Sequence, residues 1–166
     1  MSQPRLQLPV LGHLPEPQWE QVVRLAPLVS IDLIVTNPDG EVLLGKRLNR
    51  PAKDGWFVPG GVVRKGEHLE SAFSRQCETE LGLSFSGRHH YFDGVYEHHY
   101  PDNFSGDESF GTHYVVLAHR LSLSAQQLAS HQFPNAQHGR YTWMSPAQLL
   151  AHPDVHLHVK DYFQRA

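Results

Sequence analysis

A glycine pair, Gly60-Gly61, is followed by Glu67 and then by Arg75-Gln76-Cys77-Glu78-Thr79-Glu80-Leu81-Gly82-Leu83. Missing Cβ atoms at the two glycines let a ligand approach the main chain closely. Positions 76, 79 and 80 lie three and four residues apart, so on a helix they share one face. Only Glu80 of the three is a carboxylate. A single carboxylate suits one Mg2+ whose other ligands are phosphates and water better than it suits a cluster of ions. Away from such a setting, Glu80 would read as a solvated carboxylate at a helix end. Thirteen histidines are scattered over the chain, with no HExxH and no Cys/His pair at zinc spacing, so they are expected at the surface or in the core.

The elements that must position these groups follow from periodicity. From Glu67 to Leu81 the residues Leu69, Ala72, Phe73, Cys77 and Leu81 recur at steps of three and four, and Gly82 follows as a stop, which predicts a helix with Leu69, Phe73 and Cys77 facing the core. A short helix is predicted over Glu16 to Leu25, ended by Pro27. Ser30 to Thr36 and Glu41 to Arg47 flank Asn37-Pro38-Asp39-Gly40 and predict a β-hairpin. Trp56 to Val63, Tyr91 to Tyr100, Thr112 to Leu123 and Tyr141 to Met144 read as further extended segments. Ser145-Pro146 caps a helix to about Ala151, and Asp154 to Gln164 offers one more. Helices interspersed among strands predict an α/β (α+β) fold, a mixed sheet with helices on both faces.

The whole chain sets bounds. Its 166 residues make one compact domain, expected over residues 18–166. Pro4, Pro9, Pro15 and Pro17 make residues 1–17 an irregular arm that could pack on the body, exchange with a partner or stay mobile. A formal charge of −3 gives no general attraction to nucleic acid or to an anionic membrane. Cys77 is the single cysteine, so no intrachain disulfide forms. No basic-then-apolar leader and no run of 18 apolar residues is present, which makes cytoplasm the expected location.

The stretch from Gly61 through Glu67 and Arg75 to Leu83 resembles the Nudix box, G-x5-E-x7-R-E-U-x-E-E-x-G-U with U apolar. The resemblance implies the Nudix fold, a hydrolase, and a loop-helix-loop whose glutamates bind divalent ions that neutralise a diphosphate. Gln76 and Thr79 stand where two of those glutamates are usual. From about Glu20 to Phe163 the chain is similar to one Nudix branch, the GDP-mannose mannosyl hydrolases, which carry the same two losses. The shared stretches include Leu43-Leu44-Gly45-Lys46-Arg47, Trp56-Phe57-Val58-Pro59-Gly60-Gly61, Asp102-Asn103-Phe104-Ser105-Gly106, Thr112-His113-Tyr114-Val115-Val116-Leu117 and Gln137-His138.

That resemblance implies hydrolysis of GDP-mannose and GDP-glucose to GDP and free sugar, with inversion at the anomeric carbon, by a homodimer using one Mg2+ per site, Mn2+ being an alternative. The Gly60 carbonyl, Glu80 and Gln137 would be metal ligands and His138 the general base. Asp32, Arg47, Arg75, His98 and Tyr114 match positions tied to substrate binding or the leaving group, with Arg47 and Arg75 counted as catalytic. Either arginine could equally form a structural ion pair. Val62 stands where a relative has a phosphate-facing arginine, and Arg64 is the candidate to replace it. Two other functions compete: a Nudix pyrophosphatase attacking phosphorus of a nucleoside diphosphate sugar, and a catalytically silent nucleotide-sugar sensor. The losses at 76 and 79 argue against the first.

Overall fold

A computed structural model describes residues 8–84, 90–129, 131–134 and 138–164, with the main chain alone described at 138 and 139. The elements run α1 (Glu16–Leu25), β1 (Leu28–Thr36), β2 (Val42–Arg47), β3 (Trp56–Phe57), β4 (Gly60–Val62), α2 (Leu69–Gln76) continuing as a π turn (Cys77–Leu81), β5 (His90–Tyr100), β6 (Thr112–Ser122), α3 (Ala125–Ala129), β7 (His138–Met144), α4 (Pro146–Ala151) and α5 (Leu157–Asp161). The seven described strands form one mixed sheet in the order β3-β2-β1-β6-β5, with β4 also on β1 and β7 on β2. The fold is the expected mixed α+β arrangement.

Strand β1 is the spine. Its near-continuous apolar run is what a strand buried on both faces requires, and it pairs in parallel with β6 from Leu28↔Tyr114 to Thr36↔Ser122. Alternation divides its side chains between two cores. Ile31, Leu33 and Val35 join Ala72, Phe73, Cys77 and Leu81 on the α2 side. Ile34 joins Trp56, Met144, Leu149, Val159 and Tyr162 on the α4 and α5 side.

The turn at Asn37 forms as its residues dictate: Asn37 Oδ1 accepts from the amides of Asp39 and Glu41, and Gly40 takes φ +77°. The hairpin it was expected to make is short, because β1 and β2 pair only at Thr36↔Val42 before β4 takes the same edge of β1 at Ser30, Ile31 and Asp32. Ser145 caps α4 through a complete capping box with Gln148. The last helix is shorter than the expected Asp154 to Gln164, spanning Leu157–Asp161. Helix α1 begins at Glu16, inside the stretch set aside as an arm, and the Leu11 amide donates to the Lys65 carbonyl at 2.9 Å.

The predicted helix over Glu67 to Leu81 needs two corrections. Leu69 is exposed at 54%, not part of the core stripe, because it opens α2 before the helix reaches the sheet. Beyond Gln76 the helix widens. The buried pairs Ala72-Phe73, Gln76-Cys77 and Glu80-Leu81 recur every four residues, whereas an α-helix would rotate each repeat by about 40°. The π turn takes up that drift and keeps the third pair facing inward. Thr79, expected on the face of Gln76 and Glu80, points to solvent instead.

Candidate active site

The antiparallel pairing of β4 with β1 sets Gly60 opposite Asp32 and Gly61 opposite Ile31. There is no room for a side chain at either glycine. A Cβ on Gly60 would run into the Ile31 carbonyl and Asp32 Oδ1, and one on Gly61 would meet the Gln76 amide at 2.6 Å. A cleft of about 200 Å³ opens here, lined by Ser30, Asp32, Arg47, Asn49, Phe57, Val58, Gly60, Gly61, Val62, His98, Tyr100 and Tyr114. Five residues singled out from the sequence, Asp32, Arg47, Gly60, His98 and Tyr114, are thus brought together from β1, β2, β4, β5 and β6.

Arg47 supplies the positive charge. Its guanidinium lies 5.0 Å from the centre of the Phe57 ring, and no described carboxylate comes within ion-pair distance of it. A half-buried cation with no carboxylate partner among the described residues is placed for an anionic ligand. Arg75 is different. Its Nε and Nη2 donate to the two carboxylate oxygens of Glu67 at 2.7 and 2.8 Å, and Nη2 also donates to the Val62 carbonyl at 3.0 Å. Arg75 does not line the cleft; its fork holds the helix to the loop after β4. The ion pair in turn keeps the Glu67 carboxyl below its ordinary range. Val62 lines the cleft, whereas Arg64, its expected substitute, does not.

Glu80 sits on the π turn at 2% exposure. Burial pushes its carboxyl up to about 7, against the opposing pull of Arg47 and Arg75. A carboxylate kept out of water under the pull of two cations offers a hard oxygen donor of the kind a divalent cation takes. Glu80 and the Gly60 carbonyl therefore fit a metal, by the chemistry of the donors. Gln76, where the Nudix box usually has a glutamate, is buried, and its Nε2 makes a long 3.4 Å contact to the Val62 carbonyl. The expected ligand Gln137 and the side chain of the expected base His138 lie outside the described residues; the His138 main chain pairs with Arg47 at the start of β7.

A polar network that the sequence did not signal lies on the α5 side. Tyr162 donates to Asp32 Oδ2 at 2.6 Å and lies 3.3 Å from His98 Nε2. Since the tyrosine proton is committed to Asp32, His98 Nε2–H is assigned as donor to the Tyr162 oxygen. The His98 ring stacks on His158 with centroids 4.3 Å apart. Burial, then the neighbouring His158, His156 and His99, hold His98 down to about 3, so it is neutral. Burial raises Asp32 to about 6, tempered by Tyr162 and Arg47. Tyr100 and Tyr114, edge to face at 5.9 Å, are both pushed up by burial and remain hydroxyl donors.

Comparison with known proteins decides what this cleft belongs to. The model of the NUDIX domain matches residues 26–165. The chain belongs to the Nudix family. As a Nudix hydrolase it is 35% identical over 144 residues to the low-salt glycan biosynthesis protein Agl8 of Haloferax volcanii, covering 86% of each chain. Among solved structures, the MutT protein of Methanosarcina mazei Go1 matches with a TM-score of 0.65 at 19% identity, over 85% of this chain and 94% of that one. A MutT NUDIX hydrolase from Burkholderia pseudomallei gives 0.60 at 24% identity, over 85% and 99%. These likenesses establish the Nudix fold around the cleft. Nudix hydrolases act on nucleoside diphosphate substrates and generally use divalent metals, which agrees with the donors at Glu80 and Gly60. Among the described residues no helix is long and apolar enough to cross a membrane.

Proposed function

We propose that this Nudix hydrolase converts GDP-mannose, and GDP-glucose less selectively, to GDP and free sugar, with water attacking the anomeric carbon and inverting it. One observation carries the reading. Of the three helix positions where the family's metal-binding glutamates stand, Gln76 is a buried amide against Gly61, Thr79 faces solvent, and Glu80 alone turns a carboxylate inward. That charge content suits one Mg2+ holding a diphosphate leaving group and leaves no second inward-facing carboxylate on the helix to activate water for attack on phosphorus. The glycan-biosynthesis name of the Haloferax relative supports a sugar nucleotide.

The roles then divide. Glu80, the Gly60 carbonyl and Gln137 would hold the Mg2+, which when bound stabilises negative charge on the departing GDP. Arg47, free of a carboxylate partner among the described residues, adds charge at the leaving phosphate. Tyr114 and Tyr100 offer hydroxyl donors, and Asp32 and His98, locked by Tyr162, shape the sugar end of the cleft. His138 takes a proton from water, the step a neutral imidazole performs near neutral pH. The enzyme would work as a cytoplasmic homodimer on a nucleoside diphosphate sugar, with residues 18–166 as its catalytic unit, the first 17 as an arm, and neither nucleic acid nor membrane as partner.

Hydrolysis in 18O-labelled water tests this. Label in the sugar, with the opposite anomer seen first by NMR, supports attack at carbon. Label in the nucleotide or phosphate product makes the protein a pyrophosphatase, and absence of any Mg2+-dependent hydrolysis product from a sugar-nucleotide panel makes it a sensor.

A further inference from the structure

Strands β5 and β6, eleven residues each, pair from His90↔Leu121 to Tyr100↔Thr112, and their two faces carry different chemistry near the 101–111 loop. The inward face presents Tyr96, His98 and Tyr100, all buried. The outward face presents Glu97, His99 and His113, which no step of the hydrolysis uses. Glu97 and His99 are two residues apart and so share that face, and the antiparallel register sets His99 directly opposite His113. The two imidazole rings stack with centroids 4.2 Å apart. One nitrogen from each ring and one Glu97 oxygen all lie within 4.8 Å of one another. Independently, His113 Nε2 is shut off from solvent with no hydrogen-bond partner among the described residues.

We propose that Glu97, His99 and His113 form a zinc site, separate from the phosphate-handling cleft, that clamps β5 to β6 where they open into the loop. Two imidazoles and a carboxylate are a donor set Zn2+ takes, leaving a fourth position for water. Mg2+, the ion suited to Glu80, prefers oxygen donors alone. Three atoms no farther apart than 4.8 Å share a centre at most about 2.8 Å away. Zn2+ bonds of about 2.0–2.2 Å then bring each ligand atom in by less than an ångström, with the stacked rings turning so that their in-plane lone pairs meet the ion. Glu97 and His99 are exposed and free to make that adjustment. Beside them lies a groove of about 380 Å³ between the end of α1 and the start of β6, bordered by Val23, Pro27 and Phe110 and also by His99 and His113.

The test is a Zn2+ titration of the metal-stripped full chain in excess Mg2+, read by competition with a chromophoric chelator, with Co2+ absorption reporting coordination geometry. One equivalent of Zn2+ is expected to bind to the parent and equally to Glu80→Gln. His99→Asn and His113→Asn should each weaken it by at least about 100-fold and Glu97→Gln by about tenfold, the larger loss belonging to an imidazole ligand. Zinc should raise the thermal midpoint of the parent and of Glu80→Gln but not of His113→Asn. Should His113→Asn fail to fold, as judged by circular dichroism, the exposed His99→Asn and Glu97→Gln variants decide. Zinc affinity unchanged in the histidine variants, or abolished by Glu80→Gln, overturns the proposal.

Discussion

Tyr162 and Asp32, 130 residues apart in the chain, meet at the cleft over a 2.6 Å hydrogen bond in which the tyrosine donates. It ties the end of α5 to the central strand. Tyr162→Phe leaves a buried acceptor without its donor, a loss of about 1–3 kcal/mol. The pH dependence has a definite sign. The folded Asp32 carboxyl lies at about 6, above its ordinary 3.8, so it favours folding while protonated and loses that contribution as pH rises through this window. Without Tyr162 the carboxyl rises further, and the variant's penalty in denaturant unfolding should be larger at about pH 7.5 than at about pH 4. Equal penalties at both would mean Asp32 does not ionise in the folded protein.

Glu80 predicts a stability cost relieved by metal. Its carboxyl is raised from 4.5 to about 7, so in metal-free protein it lowers stability progressively as pH climbs from 4.5 to 7, by roughly 3 kcal/mol in full. Glu80→Gln should match the parent near pH 4, exceed it near pH 8 without metal, and lose both Mg2+ protection and turnover. Metal-free parent stability that stays flat across the window would contradict the raised carboxyl.

The two arginines separate by what they hold. Arg75 is engaged by both oxygens of Glu67 and by the Val62 carbonyl, and lysine cannot reproduce that fork. Arg75→Lys should therefore cost about 1–3 kcal/mol of stability. Arg47→Ala should leave the thermal midpoint nearly unchanged and lower kcat by about 100-fold. If Arg75→Lys kept its stability and lost turnover, Arg75 would be acting on the substrate after all.

The general base is tested at His138. His138→Gln should lower kcat by about 10²–10⁴-fold while Mg2+ affinity, measured by calorimetry, holds. Near-normal turnover would remove His138 from the mechanism.

Much of the candidate site was legible in the sequence because it is local: Gly60, Gly61 and Glu80 belong to one short motif, and Arg47 falls at the end of a strand that a turn signal announces. What was not legible depends on non-local pairing. Periodicity cannot say that β1 pairs in parallel with β6, the contact that carries Tyr114 to the cleft, nor that Tyr162 reaches Asp32. The histidines looked scattered for the same reason: His99 and His113 become neighbours only across two strands, and His98 and His158 only when α5 packs on β5. Arg75 shows the opposite failure. Its spacing from Glu67 suits an ion pair as well as a ligand site, and only geometry distinguishes the two.

The widened helix turn at Cys77–Leu81 makes the placement of Glu80, the proposed metal carboxylate, a matter of chain length as well as residue identity. Removing one residue between Cys77 and Glu80 would let the segment relax into the tighter, better-bonded α-helix, where three residues turn about 300° in place of the near-full circle made by four, and so swing everything after the deletion by about 60°. Leu81 would then compete for the inward position although Glu80 itself remained in the sequence. A frame of spacing, held by a less favourable helical form, therefore guards the site in a way that no substitution scan would reveal.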